Sequence, residues 1–380
     1  MDHAKYLKKY SLELTDEQIQ RNSKLKVAVG MSGGVDSSVS ALLLKLMGYQ
    51  VTAFFMKNWS ELNDEGVCTA EEDYKDVESV AAKLDIPYYS VSFENEYKER
   101  VFKDFVEQYK LGNTPNPDIL CNKEIKFDAF YNYLMGLGFD YVATGHYCQI
   151  KESCEKQLSL YKGFDDNKDQ TYFLYAINGS VLKNVLFPIG HLPKPLVRQI
   201  AEEFDLVTAK KKDSTGICFI GEKKFQSFLK QYISQMKGQF VHVDTNKKLG
   251  EHSGACFYTR GQRKGLGLGG PGGPWFVVSK DLKTNTVYVA EGADHKSLYN
   301  SKLSAINSTW ISQTPDFPLF CTARIRHRQA PQKCKVSLTE GQKLLVEFER
   351  PQRAIAPQQS IVLYQEDICL GGAIIDDYFD

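Results

Sequence analysis

The chain predicts an α/β fold: a doubly wound parallel sheet in its first part, followed by β-rich structure to the C-terminus. Three observations carry this. Between residues 26 and 146, apolar runs of strand length alternate with segments of helical periodicity. A glycine-rich turn joins the first such strand to the first such helix. Beyond residue 238 the helical period gives way to short β-branched runs punctuated by Gly, Pro and Asn. A length of 380 residues suggests two or three domains. Hydrophobic residues at 42% and charged residues at 25% exclude wholesale disorder, a collagen-like repeat and a coiled coil. No stretch approaches the ~20 apolar residues that span a bilayer.

Taken in order, Thr15-Asp16-Glu17-Gln18 reads as a capping box opening a short helix in an N-terminal extension, residues 1–24. That extension has neither the apolar core of a signal peptide nor the acid-poor bias of a transit peptide, so a cytoplasmic protein is expected. Lys26–Met31 is a buried strand. Asp36–Met47 is a helix with Val39, Leu42, Leu43 and Leu46 on one face. Val51–Met56 is the second strand, Thr69–Leu84 an acidic amphipathic helix, and Pro87–Phe93 the third strand. Glu94–Lys110 and Lys123–Leu137 read as helices, and Tyr141–Gly145 as a further short strand. Lys194–Phe204 and Lys223–Gln235 follow as helices; Phe240–Val243, Trp275–Val278 and Thr286–Val289 read as strands of one or two small β domains.

The net charge is zero, with 47 basic and 47 acidic residues, which argues against a nucleic-acid partner until it is split by segment. Residues 206–333 hold 20 Lys and Arg against 8 Asp and Glu, a net of +12, and the remainder carries −12. Such asymmetry points to a polyanionic partner.

The turn Gly30-Met31-Ser32-Gly33-Gly34-Val35-Asp36-Ser37 follows a strand and opens a helix. Glycines let backbone N–H groups approach an anion, and the helix N-terminus favours phosphate. The Gly-Lys-Ser/Thr ending of the Walker loop is absent, which disfavours ordinary β–γ cleavage. Gly265-Leu266-Gly267-Leu268-Gly269-Gly270 matches the dinucleotide-loop string, but a strand and not a helix is predicted after it, so the match fails on context.

None of the nine cysteines lies in a C-x-x-C pair, so no zinc site is expected. Two cysteines have reactive surroundings. Cys121 stands before a predicted helix with Lys123 and Lys126 close in sequence, and Asp118 three residues earlier is placed to handle protons. Cys218 follows Lys210-Lys211-Lys212 in a predicted loop, an electropositive setting for a thiol.

Ser32-Gly33-Gly34-Val35-Asp36-Ser37 resembles the pyrophosphate-binding loop of N-type ATP pyrophosphatases, the PP-loop enzymes, which adenylate a substrate oxygen. Together with Phe55-Met56-Lys57-Asn58-Trp59, Asn116–Phe127, Ala143-Thr144-Gly145-His146-Tyr147, Lys168-Asp169-Gln170, Ser214–Gly221 and Gly261-Gln262-Arg263, seven markers in order, the chain from about residue 25 is similar to bacterial-type tRNA-specific 2-thiouridylases. The resemblance implies an adenine nucleotide alpha hydrolase-like domain at 25–225, a small central β-rich domain at 226–293 and a C-terminal β-barrel contacting tRNA at 294–380. It implies ATP and Mg2+ as cofactors, with ATP held by Gly30, Met31, Ser32, Gly33, Gly34, Val35, Asp36, Ser37, Met56 and Gly145. Asn116, Pro117 and Asp118 would approach the wobble uridine. Cys121 would be the nucleophile, Cys218 the persulfide carrier, and Asp118 an acid or base. His146, Lys168, Asp169, Gln170, Arg326, His327 and Gln359 would contact tRNA. Where the family usually has Pro-Gly-Gln this chain has Pro357-Gln358-Gln359, which puts that turn in question. A persulfide sulfur donor, either a cysteine desulfurase or a relay carrier, is the implied protein partner. The alternatives are a synthetase or amidotransferase acting on a small metabolite through the same loop, and a non-catalytic tRNA-binding protein.

Overall fold

The computed structural model describes residues 9–10, 12, 14–59, 69–152, 156–213, 228–269 and 273–380. Contacts divide the chain into two units, Met1–Arg100 with Asp118–Glu222 and Asp367–Leu370, and Val101–Pro117 with Lys223–Glu366 and Gly371–Asp380.

The first unit is built on a parallel sheet. Its strands are β1 (Lys26–Met31), β2 (Gln50–Lys57), β3 (Tyr88–Ser92), β4 (Tyr141–Ala143) and β7 (Val185–Leu186), in the order β3-β2-β1-β4-β7. Val27, Ala28 and Val29 of β1 are fully buried, as expected for a central strand covered on both faces. One face is covered by helices Val35–Leu46, Thr69–Leu84 and Lys194–Glu203, whose Val39, Leu43, Val77, Val80, Val197 and Ile200 form one core. The other face is aromatic: Phe54 meets Phe130 and Phe139 edge-on, and Phe93 meets Phe130 likewise. The capping box at Thr15 is present in both its hydrogen bonds. The order reverses between β1 and β4, so the C-terminal ends of these strands flank the crevice where such sheets take ligands. A hairpin of β5 (Cys148–Glu152) and β6 (Leu158–Lys162) completes this unit.

Two helices differ from the sequence expectation. The segment from Glu94 to Lys110 is helical throughout but passes through a π-helical stretch at Lys98–Phe102. The helix expected at Lys123–Leu137 starts earlier, at Pro117, is π-helical over Cys121–Phe130 and continues to Gly136. The reason is that Pro117 serves as the first helical residue, where its fixed φ and missing N–H cost nothing. Of the helix expected at Lys223–Gln235, only Phe228 and Leu229 are described as helical.

The second unit contains a four-stranded sheet and a closed barrel. The sheet pairs β8 (Gly238–His242), β9 (Lys248–His252), β10 (Trp275–Asp281) and β11 (Thr286–Glu291) in the order β10-β11-β8-β9. The barrel strands are β12 (Tyr299–Trp310), β13 (Leu319–Arg324), β14 (Gln332–Leu338), β15 (Leu344–Arg353), β16 (Ser360–Gln365) and β17 (Ile368–Phe379). They run β12-β15-β14-β13-β16-β17, and β17 pairs back with β12, which closes six strands and leaves no edge. The buried Arg260 guanidinium ties sheet to barrel: it donates to the carbonyls of Val278, Ile355 and Ser297 and to Asn300 Oδ1, and lies 4.0 Å over the Tyr378 ring. After the glycine string at 265–269 the next element among the described residues is a strand, β10, at Trp275.

Candidate active site

The glycine loop sits at the C-terminal end of β1. Gly33 has φ +71°, and a Cβ there would lie 2.5 Å from the Asp73 carbonyl oxygen, so only glycine fits. Gly34 is the N-cap of Val35–Leu46 and makes no side-chain cap, which leaves the first N–H groups of a 12-residue helix for an anion. Ser37 Oγ accepts from Ser32 N–H at 3.2 Å and donates to the Gly34 carbonyl at 3.1 Å, which holds the loop in shape. From β4 comes Gly145: a Cβ there would lie 2.8 Å from the Asp36 carbonyl carbon and the Ser37 nitrogen. The two segments thus touch backbone to backbone. Met56, half-buried, lies near the end of β2.

Asp36, in the first turn of that helix, is not an isolated charge. Its carboxylate accepts from Tyr147 Oη at 2.7 Å and from Lys194 Nζ at 2.6 and 2.8 Å. Lys194, 7% exposed, also reaches Asp213 at 2.8 Å. Burial and then the Asp36 carboxylate push the Tyr147 phenol far up, so it stays a donor. Asp213 takes Lys168 at 2.7 Å and Arg198 at 2.6 Å as well. Burial raises the Asp213 carboxyl, but hydrogen bonds from Lys168 and Lys194 outweigh it and hold it well below the usual carboxylate range. Arg198 further clasps the carbonyls of Ala209 and Lys211, and Lys211 pairs with Asp73 and Asp76.

His146, Lys168, Asp169 and Gln170 come together beside this cluster. Gln170 Oε1 accepts the Tyr147 N–H at 2.9 Å, and Gln170 N–H donates to the Tyr147 carbonyl at 3.0 Å. Asp169 is 1% exposed and its carboxylate takes the N–H groups of Gly163 and Thr171 and the Thr171 hydroxyl. His146 is enclosed at 9% exposure, 2.6 Å from Thr144 Oγ1 through Nδ1, and packs against Phe127 and Phe187. Burial, helped by the charge of Lys126, drives its pKa well down and keeps it neutral.

Cys121 opens the π-helical stretch and is 2% exposed. Because the helix begins four residues earlier, Cys121 stands one turn inside it and not ahead of its N-terminus. Lys123 turns to Glu124 at 3.2 Å, whereas Lys126 is the cation felt by both Asp118 and His146. Burial pushes the Asp118 carboxyl up, opposed by Lys126. Phe130 packs under Gly30, where a Cβ would come within 3.3 Å of its ring, so the helix carrying Cys121 braces the strand that carries the glycine loop. Asn122, 3% exposed, donates to the Phe173 carbonyl, and its Oδ1 has no hydrogen-bond partner among the described residues. Cys218, with the whole of Ser214–Gly221, lies outside the described residues.

The second unit holds the other expected contacts. Gln359 Nε2 donates to the Thr114 carbonyl at 2.5 Å, and Thr114 Oγ1 is 3.1 Å from Thr259 Oγ1, which brings Gln359 to the Asn116–Pro117 segment. Gln358 has φ +66°, the left-handed conformation a glycine takes freely, so the turn survives the loss of the glycine. Arg326 donates to the carbonyls of Arg260 and Ala354, and His327 is half-buried beside it.

Tyr147, Asn122, Lys194, Arg198 and Asp213 were not singled out by sequence reasoning. The carboxylate of Asp36 was the available signal, since a charge entering a partly buried helix start demands a counter-charge. Nothing in the sequence tells which lysine, 158 residues on, supplies it.

Among the described residues no group of three or more His, Cys, Asp and Glu is arranged to hold a metal, and no helix is long and apolar enough to cross a membrane. Residues 25–222 match the family model described as tRNA methyl transferase HUP domain, 226–291 the tRNA methyl transferase PRC-barrel domain, and 300–375 the aminomethyltransferase beta-barrel domain. The tRNA-specific 2-thiouridylase MnmA of Streptococcus mutans is 54% identical over 94% of this chain and 97% of its own length. The chain belongs to the tRNA-specific 2-thiouridylase family. Its similarity to other 2-thiouridylases is even: that of Staphylococcus aureus is 53% identical over 94% of this chain and 97% of its own, and that of Lactococcus lactis 52% over 93% and 95%. Although the domain descriptions speak of methyl transfer, the relatives that align from end to end are 2-thiouridylases.

Proposed function

We propose that the chain is a tRNA-uridine 2-sulfurtransferase that converts the wobble uridine of tRNA to 2-thiouridine, using ATP. The observation that carries this reading is the likeness to 2-thiouridylases over nearly the whole chain. The uncapped glycine loop supports it, since its N–H groups fit a pyrophosphate.

A ring carbonyl oxygen leaves poorly, so O2 of the uridine needs activation. In this reading it attacks the α-phosphorus of ATP, the bond to the β-phosphate breaks, and pyrophosphate departs into Gly30–Ser37. Met56 and Gly145 complete the ATP site. Mg2+ bound to the phosphates would offset their charge, with ATP oxygens and water as ligands. A sulfur nucleophile then adds at carbon 2, and O2 leaves as part of AMP. Cys218 carries that sulfur as a persulfide. Either the persulfide attacks carbon 2 directly and Cys121 then attacks the Cys218 sulfur, breaking the S–S bond and freeing the thiouridine, or Cys121 first displaces sulfide from the persulfide and the sulfide attacks. Both routes leave a Cys121–Cys218 disulfide that a thiol reductant reopens. Asp118, with its raised carboxyl, is the acid or base for these transfers. The base must leave the anticodon stack, which a single-stranded loop allows at low cost. Asn116 and Pro117 with Asp118 would receive it. Lys168, Gln170, His146, Arg326, His327 and Gln359 would hold the surrounding RNA, and Asp169 would act through the turn that its carboxylate organises. We take residues 25–225 as catalytic, 226–293 as the central domain and 294–380 as the RNA-contacting barrel, and place the reaction in the cytoplasm with a persulfide-bearing protein as donor.

The test is direct. The protein is incubated with unmodified tRNA, ATP, magnesium and a protein persulfide donor, and digested nucleosides are weighed. 2-Thiouridine is expected, with pyrophosphate released in proportion, and Cys121→Ser and Cys218→Ser are expected to stop it. Pyrophosphate release that needs no RNA would point to a small-metabolite synthetase. Binding of tRNA with no pyrophosphate and no thiolation would point to a non-catalytic protein.

A further inference from the structure

Cys321 and Cys334 stand directly opposite each other on the antiparallel strands β13 and β14, with their sulfurs 3.8 Å apart. The sulfur chemistry assigned to Cys121 and Cys218 does not use them. We propose that Cys321 and Cys334 form a dithiol site, oxidised by hydroperoxides, that closes to a disulfide across the barrel hairpin.

The geometry favours closure. Directly opposed residues of an antiparallel pair have Cβ atoms about 4.5–5.5 Å apart, and a disulfide needs about 3.5–4.5 Å, so a small approach of the strands suffices. The two sites are unequal in access: Cys334 is 5% exposed and Cys321 is half-buried, which leaves Cys321 as the first point of attack. The hydrogen bond to Cys321, and then burial, push the Cys334 thiol up, so Cys334 reacts second, as a thiol already in contact. The pair Cys148 and Cys369 offers a contrast: both are enclosed, at 0% and 1% exposure, away from any dissolved oxidant.

The reaction balances without a metal. The Cys321 thiolate attacks one oxygen of the hydroperoxide, the O–O bond breaks, and the other oxygen leaves with a proton as an alcohol or water. Cys321 is then a sulfenic acid. The Cys334 sulfur attacks the sulfenic sulfur, the S–O bond breaks, and hydroxide leaves with the thiol proton as water. The two thiols lose two electrons and the hydroperoxide gains them. The resulting bond joins the ends of the segment that carries Arg326, His327 and Arg328, so oxidation restrains that segment. If the Proposed function holds, tRNA affinity changes with it.

The experiment uses the full chain carrying Cys121→Ser and Cys218→Ser, reduced and then treated with hydrogen peroxide, with the wild type in parallel. The expected product is a proteolytic peptide pair joined between Cys321 and Cys334, lighter by two hydrogens and separated again by dithiothreitol. In Cys334→Ser the cross-link is lost and Cys321 gains a sulfenic-acid adduct with a dimedone probe, while thiolation by this variant, made on its own in the wild-type background, is unchanged. Peroxide that leaves both cysteines reduced, carries them to sulfinic acid unlinked, or joins them indiscriminately to other cysteines overturns the proposal. This readout needs no thiolation activity, so it stands or falls apart from the enzymatic reading. Equal tRNA binding by oxidised and reduced protein would remove the link to RNA.

Discussion

Asp118 shows how much one side chain's surroundings decide. Burial raises its folded pKa above the unfolded value of about 3.9. The native state therefore holds the proton across the window between the two values, and stability falls as pH rises through it. Asp118→Asn cannot ionise, so it is expected to match wild type in urea midpoint near pH 4 and to equal or exceed it at pH 7. Its thiolation rate should fall by roughly 10²-fold or more if the carboxyl transfers protons. A variant that is less stable than wild type at pH 7, with full activity, would refute both halves. Gln358 is the second telling residue. A non-glycine side chain at φ +66° costs on the order of 1 kcal/mol, and a β-branched one more. Gln358→Gly should change chemical-denaturation stability by less than about 1 kcal/mol, because relief of strain is offset by the freer unfolded chain. Gln358→Val should lose about 1–2 kcal/mol.

At the scale of elements, the site is a meeting of a loop, a strand end and a helix start. Gly145→Ala would put a methyl against the backbone of Asp36 and Ser37, inside contact distance. The helix start must shift, so ATP affinity measured by calorimetry should drop at least tenfold while thermal unfolding stays cooperative; unchanged affinity would show that this contact does not shape the anion site. Arg260 makes a comparable joint between the four-stranded sheet and the barrel. Arg260→Ala strands several carbonyls and is expected to cost about 3–5 kcal/mol in denaturant titration. Arg260→Lys should recover little of this, since an ammonium cannot reproduce the planar fork that spans those acceptors.

For the whole molecule, neutrality is a cancellation of +12 over residues 206–333 against −12 elsewhere. A basic stretch that neutralises several phosphates should make tRNA affinity fall steeply with salt, with log K linear in log salt, whereas a slope near zero would contradict a role for that stretch in holding RNA. The balancing acidic remainder limits indiscriminate attachment to nucleic acid.

Local patterns in the chain specify the alternation of strands and helices, the glycine loop between β1 and its helix, and the change to β structure beyond residue 238. These depend on local chemistry: apolar period, the steric freedom of glycine, and turn residues that act over a few positions. The chain also carries the motifs whose order matches the family. Tertiary structure decided the rest. That Cys121 stands a turn inside its helix is seen only in the fold. That Lys194 and Tyr147 close on Asp36, and that β17 returns to β12 to close the barrel, are pairings between residues far apart in the chain. No local pattern specifies such partners, because burial leaves a charge or a strand edge in need of a complement without saying which distant residue will supply it.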